Sequence, residues 1–135
     1  MSFERDLEKF AEKYQINSEK LFKKVAFDAF AGIMRETPVD TGALRGNWRI
    51  GINRPDTTIR ENWTNNAQQG RYDREAYTAG TPVINSVELG QDIVISNSLD
   101  YAYDIEVNGK SKDKAPDGMV LVTVNRIKYD IKKAL

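Results

Sequence analysis

Any chemistry in this chain must come from Asp, Glu, Lys, Tyr, Ser or Thr, because it contains neither histidine nor cysteine. Without histidine it lacks the commonest general base and the usual zinc ligand. Without cysteine it has no disulfide, thiolate nucleophile or cysteine metal site. Two clusters remain to be weighed. In Thr37-Pro38-Val39-Asp40-Thr41-Gly42-Ala43-Leu44-Arg45, Asp40 stands beside Thr41. No Gly-x-x-x-x-Gly-Lys pattern accompanies them, so neither a phosphate cradle nor a triad can be built. The segment reads as a helix stop at Pro38 followed by a turn in which Asp40 or Thr41 accepts backbone N–H groups. In the second cluster Asp100, Asp104 and Glu106 crowd together. They lack the alternating ligands and central glycine of a calcium loop. Tyr101 and Ile105, one helical turn apart, would pack inward and leave these acids in solvent. No catalytic residue, metal ligand or cofactor site is assigned.

Arg54, Arg60, Arg71 and Arg74, with Trp63 and Tyr72, have the composition of a nucleic-acid surface. Asp56, Glu61, Asp73 and Glu75 interleave with them and would cancel attraction to phosphate. The whole chain has 20 basic and 20 acidic residues, so no net field steers it to a polyanion. Trp, Tyr and Arg are also the residues enriched at protein-contact hot spots, and that reading fits better.

The elements that must position these residues follow from periodicity. Phe3, Leu7, Phe10 and Tyr14 share one helical face, and Leu21, Phe22, Val25, Ala26, Ala29, Phe30, Ile33 and Met34 form a wide apolar stripe. Asn17 and Ser18 can cap the second of two nearly continuous helical segments spanning about 3–36, the favoured reading, or sit on the exposed face of one long helix. Trp48, Ile50 and Ile52 alternate with polar positions as a half-buried strand over about 47–53. A polar loop is expected over about 54–80, with a helical turn at 74–79 closed by Gly80. Gly90-Gln91-Asp92 is a turn leading into a strand at about 92–97. Val120, Val122 and Val124 alternate as in a strand, but Val120, Val124, Ile127, Ile131 and Leu135 follow helical spacing. A helix over about 118–134 covers more residues and places Lys132 and Lys133 in its last turn.

The 135 residues, 40% hydrophobic and 30% charged, suit one soluble domain, 1–135. The acidic N-terminus has no apolar signal-peptide core, and no apolar run is long enough for a bilayer. The protein is expected to be made and used in a cytoplasm, or packed into a particle assembled there. The fold class is α+β, with a long N-terminal helix and a C-terminal helix packed on a small, mainly antiparallel β-sheet that carries a long polar loop.

The order of motifs adds a resemblance. Thr37-Pro-Val-Asp-Thr-Gly-Ala-Leu-Arg45 leads to Trp48, followed by Gly90-Gln-Asp-Ile-Val-Ile-Ser-Asn97. Tyr101-Ala102, Ile105-Glu106 and Ala115-Pro-Asp-Gly-Met-Val120 complete the series. Together they resemble the tail-component family of lambdoid siphophages, its neck or tail-completion proteins, over nearly the whole chain. Leu99-Asp100 stands where that family tends to have Leu-Pro, and Val107-Asn108-Gly109 is one residue longer than its usual Glu-x-Gly. The resemblance implies a structural virion protein, not an enzyme, that forms a hexameric or dodecameric homo-oligomeric ring at the head–tail junction. Its implied neighbours are head-closure or adaptor proteins and tail terminator or tail tube proteins, with passing contact to phage DNA. Its implied location is the virion neck or tail, assembled in the host bacterial cytoplasm. A tail-terminator-type subunit and a small DNA-contacting module are the alternatives. The protein-contact candidates are Trp63, Arg71, Tyr72, Asp40, Arg45, Tyr101, Tyr103, Glu106 and Met119.

Overall fold

A single left-handed residue divides the N-terminal apolar stripe into two helices. The computed structural model describes residues 2–37, 43–59, 69–100, 102–107 and 118–135. Helix α1, Phe3–Tyr14, starts at Ser2, whose hydroxyl accepts the Arg5 N–H, and places Glu4 and Asp6 in its first turn. Those carboxylates suit the positive end of the helix dipole. Gln15 then adopts φ 54°, and its N–H returns to the carbonyls of Ala11 and Glu12. Asn17 begins α2, Ser18–Glu36, by accepting the N–H groups of Glu19 and Lys20 at 2.9 and 3.2 Å.

After the short α3, Ala43–Gly46, strand β1 runs Trp48–Ile52 and pairs antiparallel with β2, Ile93–Asn97. Ile50 lies opposite Ile95 and Ile52 opposite Ile93, so these side chains share one face. On the other face lie Arg49, Gly51, Val94 and Ser96. A Cβ on Gly51 would lie 2.0 Å from the Arg54 carbonyl oxygen, so only glycine lets the chain fold back there. Ser96 Oγ donates to the Asp56 carbonyl on that same side, at 3.3 Å.

The stretch expected as loop to about residue 80 is corrected here. Helix α4 runs Gln69–Ser86, with Gly80 inside it rather than closing it, and with Pro82 also internal. Intrinsic propensity opposes both residues. Tertiary packing overrides it: Ala76, Ile84 and the following Val87 are buried, and Tyr77 meets Phe30 edge-on at 5.4 Å. A Cβ on Gly80 would lie 2.9 Å from the Phe30 ring and 3.1 Å from Ile50 Cδ1. Glycine therefore lets α4 lie close against both α2 and β1.

Helix α5, Ala102–Val107, precedes the C-terminal helix α6, Val120–Ala134. The helical reading of the last segment holds, although its buried line passes through Thr123 and Ile127. Thr123 satisfies its hydroxyl on the Met119 carbonyl at 2.8 Å. Helix α6 packs on α2 and α1, and its end is tied to α1 by Lys13 and Tyr14, which donate to the Ala134 carbonyl. The fold is thus α+β, with a two-stranded antiparallel sheet and helices at both ends. Its core joins Phe30, Ile33 and Met34 of α2 to Trp48, Ile50, Ile84, Ile105 and Met119.

Candidate functional site

The two marked sequence motifs turn out to be joints. At the end of α2, Thr37 donates its hydroxyl to the Ile33 carbonyl at 2.6 Å and accepts Trp48 Nε1–H at 2.8 Å. All of this is buried, where an unmatched polar atom would cost about 1–3 kcal/mol. Arg45 reaches back from α3 and donates to the Thr37 carbonyl at 2.8 Å and that of Arg35 at 3.5 Å. A guanidinium there supplies both hydrogen bonds and charge to the negative end of α2. Asn97 closes the joint from the sheet side, donating Nδ2–H to the Leu44 carbonyl at 2.7 Å. The end of α2, the short α3 and both strands meet at one hydrogen-bonded corner.

The second joint is built on Glu106. Its carboxylate accepts the backbone N–H groups of Met119, Val120 and Leu121 at 2.6, 2.8 and 3.0 Å. The α6 N-cap residue, Met119, provides no side-chain cap of its own, so α5 supplies one from outside. One carboxylate thus satisfies three donors at the positive end of a helix. Gly118 makes the approach possible. It has φ +86°, and a Cβ there would lie 2.8 Å from Glu106 Oε2 and 2.9 Å from its carbonyl oxygen. The Ile105-Glu106 and Gly118-Met119-Val120 segments are therefore two halves of one device. Glu106 is not the solvated acid its neighbours suggested.

The remaining contact candidates fall in different places. Met119 is buried at 1% exposure, so its side chain serves the core rather than an outward contact. Tyr103 is exposed at 66%. Arg71 and Tyr72 lie within α4. Asp40, Trp63 and Tyr101 lie outside the described residues. Sequence reasoning missed Leu121 and Tyr129, which α6 presents to solvent at 59% and 64%. Leu121 follows the Glu106 cap directly, and Tyr103 precedes Glu106 by three residues in α5. The two exposed side chains therefore flank one joint. Periodicity could have flagged both α6 residues, since neither lies on the Val120–Ile127–Ile131 line.

Asp56 is held below its ordinary range, first by the Thr58 N–H and hydroxyl that its carboxylate accepts at 3.0 and 2.7 Å, then by the charge of Arg49. Among the described residues no group of acids could hold a metal ion, and no helix is long and apolar enough to cross a membrane. A cleft between β1 and α4, beside Trp48, Ala76 and Gly80, measures about 40 Å³, which is room for a water rather than a substrate.

These features define a small α+β scaffold whose distinctive residues tie elements together and which also exposes several large apolar side chains. Residues 2–124 match the family model described as "Bacteriophage HK97-gp10, putative tail-component", and the chain belongs to this family of phage tail components. Comparisons with curated proteins and with solved structures gave no match.

Proposed function

We propose that the protein is a structural subunit of the virion, forming a ring at the head–tail junction and needed for head–tail joining, with no catalytic activity of its own. The observation that carries this reading is the family match over residues 2–124. The geometry supports it in a specific way. The polar residues that stood out in the sequence and fall in the described structure, Thr37, Arg45, Asn97 and Glu106, are engaged by backbone or side-chain groups of the same chain. Among the described residues, the most exposed large apolar side chains are Tyr103, Tyr129, Leu89 and Leu121. Aromatic and aliphatic side chains on a rigid helix suit protein contact, because they bring area at little entropic cost.

In this reading the subunit contacts further copies of itself, head-closure or adaptor proteins on one side, and tail terminator or tube proteins on the other. Trp63, Arg71, Tyr72, Asp40 and Tyr101 remain contact candidates alongside Tyr103. Assembly takes place in the host bacterial cytoplasm, and the finished protein resides in the particle. Immunogold labelling of purified phage tests this directly. Label is expected at a single position per particle, where head meets tail. Label along the tail shaft, at the tail tip or nowhere on the particle would contradict it.

A further inference from the structure

Helices α1, α2 and α6 each pack on the other two, and the unit they form has two unlike outer faces. The first is a groove in which Leu7, Glu8 and Ala11 of α1 meet Ser18, Leu21 and Phe22 of α2. No residue of α6 enters it, so it opens on the far side of the unit from α6. Its volume is about 80 Å³ and its walls are mainly apolar, which suits a side-chain tip rather than a small-molecule ligand. Glu4 and Glu12 continue the line of Glu8 at four-residue spacing, and all three are exposed.

The second face belongs to α6. Ile127 is buried, and Tyr129, about 160° round the helix from it, is 64% exposed. Lys128 and Lys132 stand one turn apart beside that ring, and Lys133 Nζ lies 6.0 Å from its centroid. Among the described residues, Glu4, Glu8, Lys128 and Lys132 are in no ion pair, whereas Glu19 pairs with Lys23 and Asp130 with Arg126. We infer that α6 of one copy lies along the α1–α2 groove of the next, with Tyr129 seated in the groove and Lys128 and Lys132 against Glu4 and Glu8. The inference rests on the reading of the protein as a ring-forming subunit and names the contact that joins neighbours.

Three observations select a second copy as the occupant. The charges are complementary, and both lines repeat every four residues, about 6 Å along a helix, so two glutamates meet two lysines in one register. The groove supplies the apolar seat that Tyr129 lacks in its own chain, whereas a polyanion such as DNA would use the lysines and leave the groove empty. The two faces also lie on different sides of one helical unit, so a copy cannot satisfy itself. Such a contact is heterologous, and it closes into a ring when its rotation divides a full turn. A two-fold pairing of α6 with α6 would instead set Lys128, Lys132 and Lys133 against their own copies, and like charges brought together are unfavourable.

Exchanging the charges tests this on the full chain, since each copy carries both halves of the contact. The Glu4→Lys/Glu8→Lys protein has a basic groove and a basic α6, and the Lys128→Glu/Lys132→Glu protein has both acidic. Each alone is expected to self-associate roughly tenfold or more weakly than wild type in sedimentation runs, because like charges now meet. Mixed in equal amounts, the two should recover assemblies of wild-type size, as each basic groove receives an acidic α6 and each acidic groove a basic one. Both variants must give the wild-type circular dichroism spectrum. Variants that assemble singly, a mixture no larger than its parts, or wild-type protein that stays monomeric at high concentration would overturn the inference. So would a monomeric wild type that retards duplex DNA through Lys128 and Lys132, which would give the basic face to a polyanion. Particle labelling at the neck reads out independently: label there with unaltered assembly of the variants removes this contact and leaves the proposed role standing.

Discussion

At the residue scale, the strongest energetic commitment is Glu106. Replacing it by Ala leaves three N–H groups without their charged acceptor, and hydrogen bonds to charged groups contribute about 1.5–3 kcal/mol. Water can recover part of that, so Glu106→Ala is expected to cost about 2 kcal/mol. Thermal unfolding should show a fall of roughly 4 °C for each kcal/mol lost. An unchanged midpoint would remove the capping role. Trp48→Phe keeps most of the packing but strips the Nε1–H donor from the buried Thr37 hydroxyl, at about 1 kcal/mol. The pH dependence of Asp56 has a definite sign. Its folded pKa lies below the unfolded value, so its contribution is fully present above the ordinary aspartate range. That contribution is lost as pH falls through the lower, folded value. Asp56→Asn should flatten the acid limb of the stability curve slightly, as read by urea titrations at stepped pH.

The same residues show what the sequence could and could not convey. The end of α2 just before Pro38 was visible in residue types alone, whereas the turn expected at Asp40-Thr41 lies outside the described residues. Glu106 was not legible as a cap, because its partners lie 13–15 residues further on. A carboxylate that serves a helix in another segment leaves no local pattern. Met119 was read as a contact because its motif was distinctive, yet distinctiveness there reflects the joint between α5 and α6.

At the element scale, α4 decides the most. Its apolar residues Ala76, Tyr77, Val83, Ile84 and Val87 do follow helical spacing, but Gly80 and Pro82 sit among them and the flanking residues are polar. Propensity pointed to loop, and burial against Phe30 and Ile50 reversed it. This gives a prediction with an unusual sign. In an exposed helix interior Gly→Ala stabilises by roughly 1 kcal/mol. At Gly80 the added methyl would meet the Phe30 ring at 2.9 Å, and overpacking costs about 1–3 kcal/mol. Gly80→Ala should therefore give no gain or a net loss on chemical denaturation. A protein clearly stabilised by that change would show that α4 does not lie so close to α2. By contrast, α1, α2 and β1 were legible from their apolar periods, and β2 from its run of β-branched residues Ile93-Val94-Ile95. The break between the first two helices was also readable from Asn17, although the left-handed Gln15 before it was not.

At the scale of the whole molecule, composition could exclude chemistries but not identify partners. A net charge of zero and the lack of histidine and cysteine describe a protein without an obvious reaction or polyanion. Only the ordered motifs, and then the family match, connect it to a phage tail. The surface adds the testable part. Tyr103→Glu and Leu121→Asp change exposed side chains that flank the Glu106 cap, so stability should shift by about 0.5 kcal/mol or less. Complementation of a null phage with either variant is expected to lower the yield of joined particles at least tenfold while soluble protein levels hold. Full complementation by both would move the contact surface elsewhere.

Under the proposed function, the subunit is a required part of the head–tail joint. Electron micrographs of a lysate from a phage lacking this gene test it most directly. DNA-filled heads and complete tails lying unattached are expected, with infectivity restored by supplying the wild-type protein. Joined, infectious particles in the absence of the protein would contradict it.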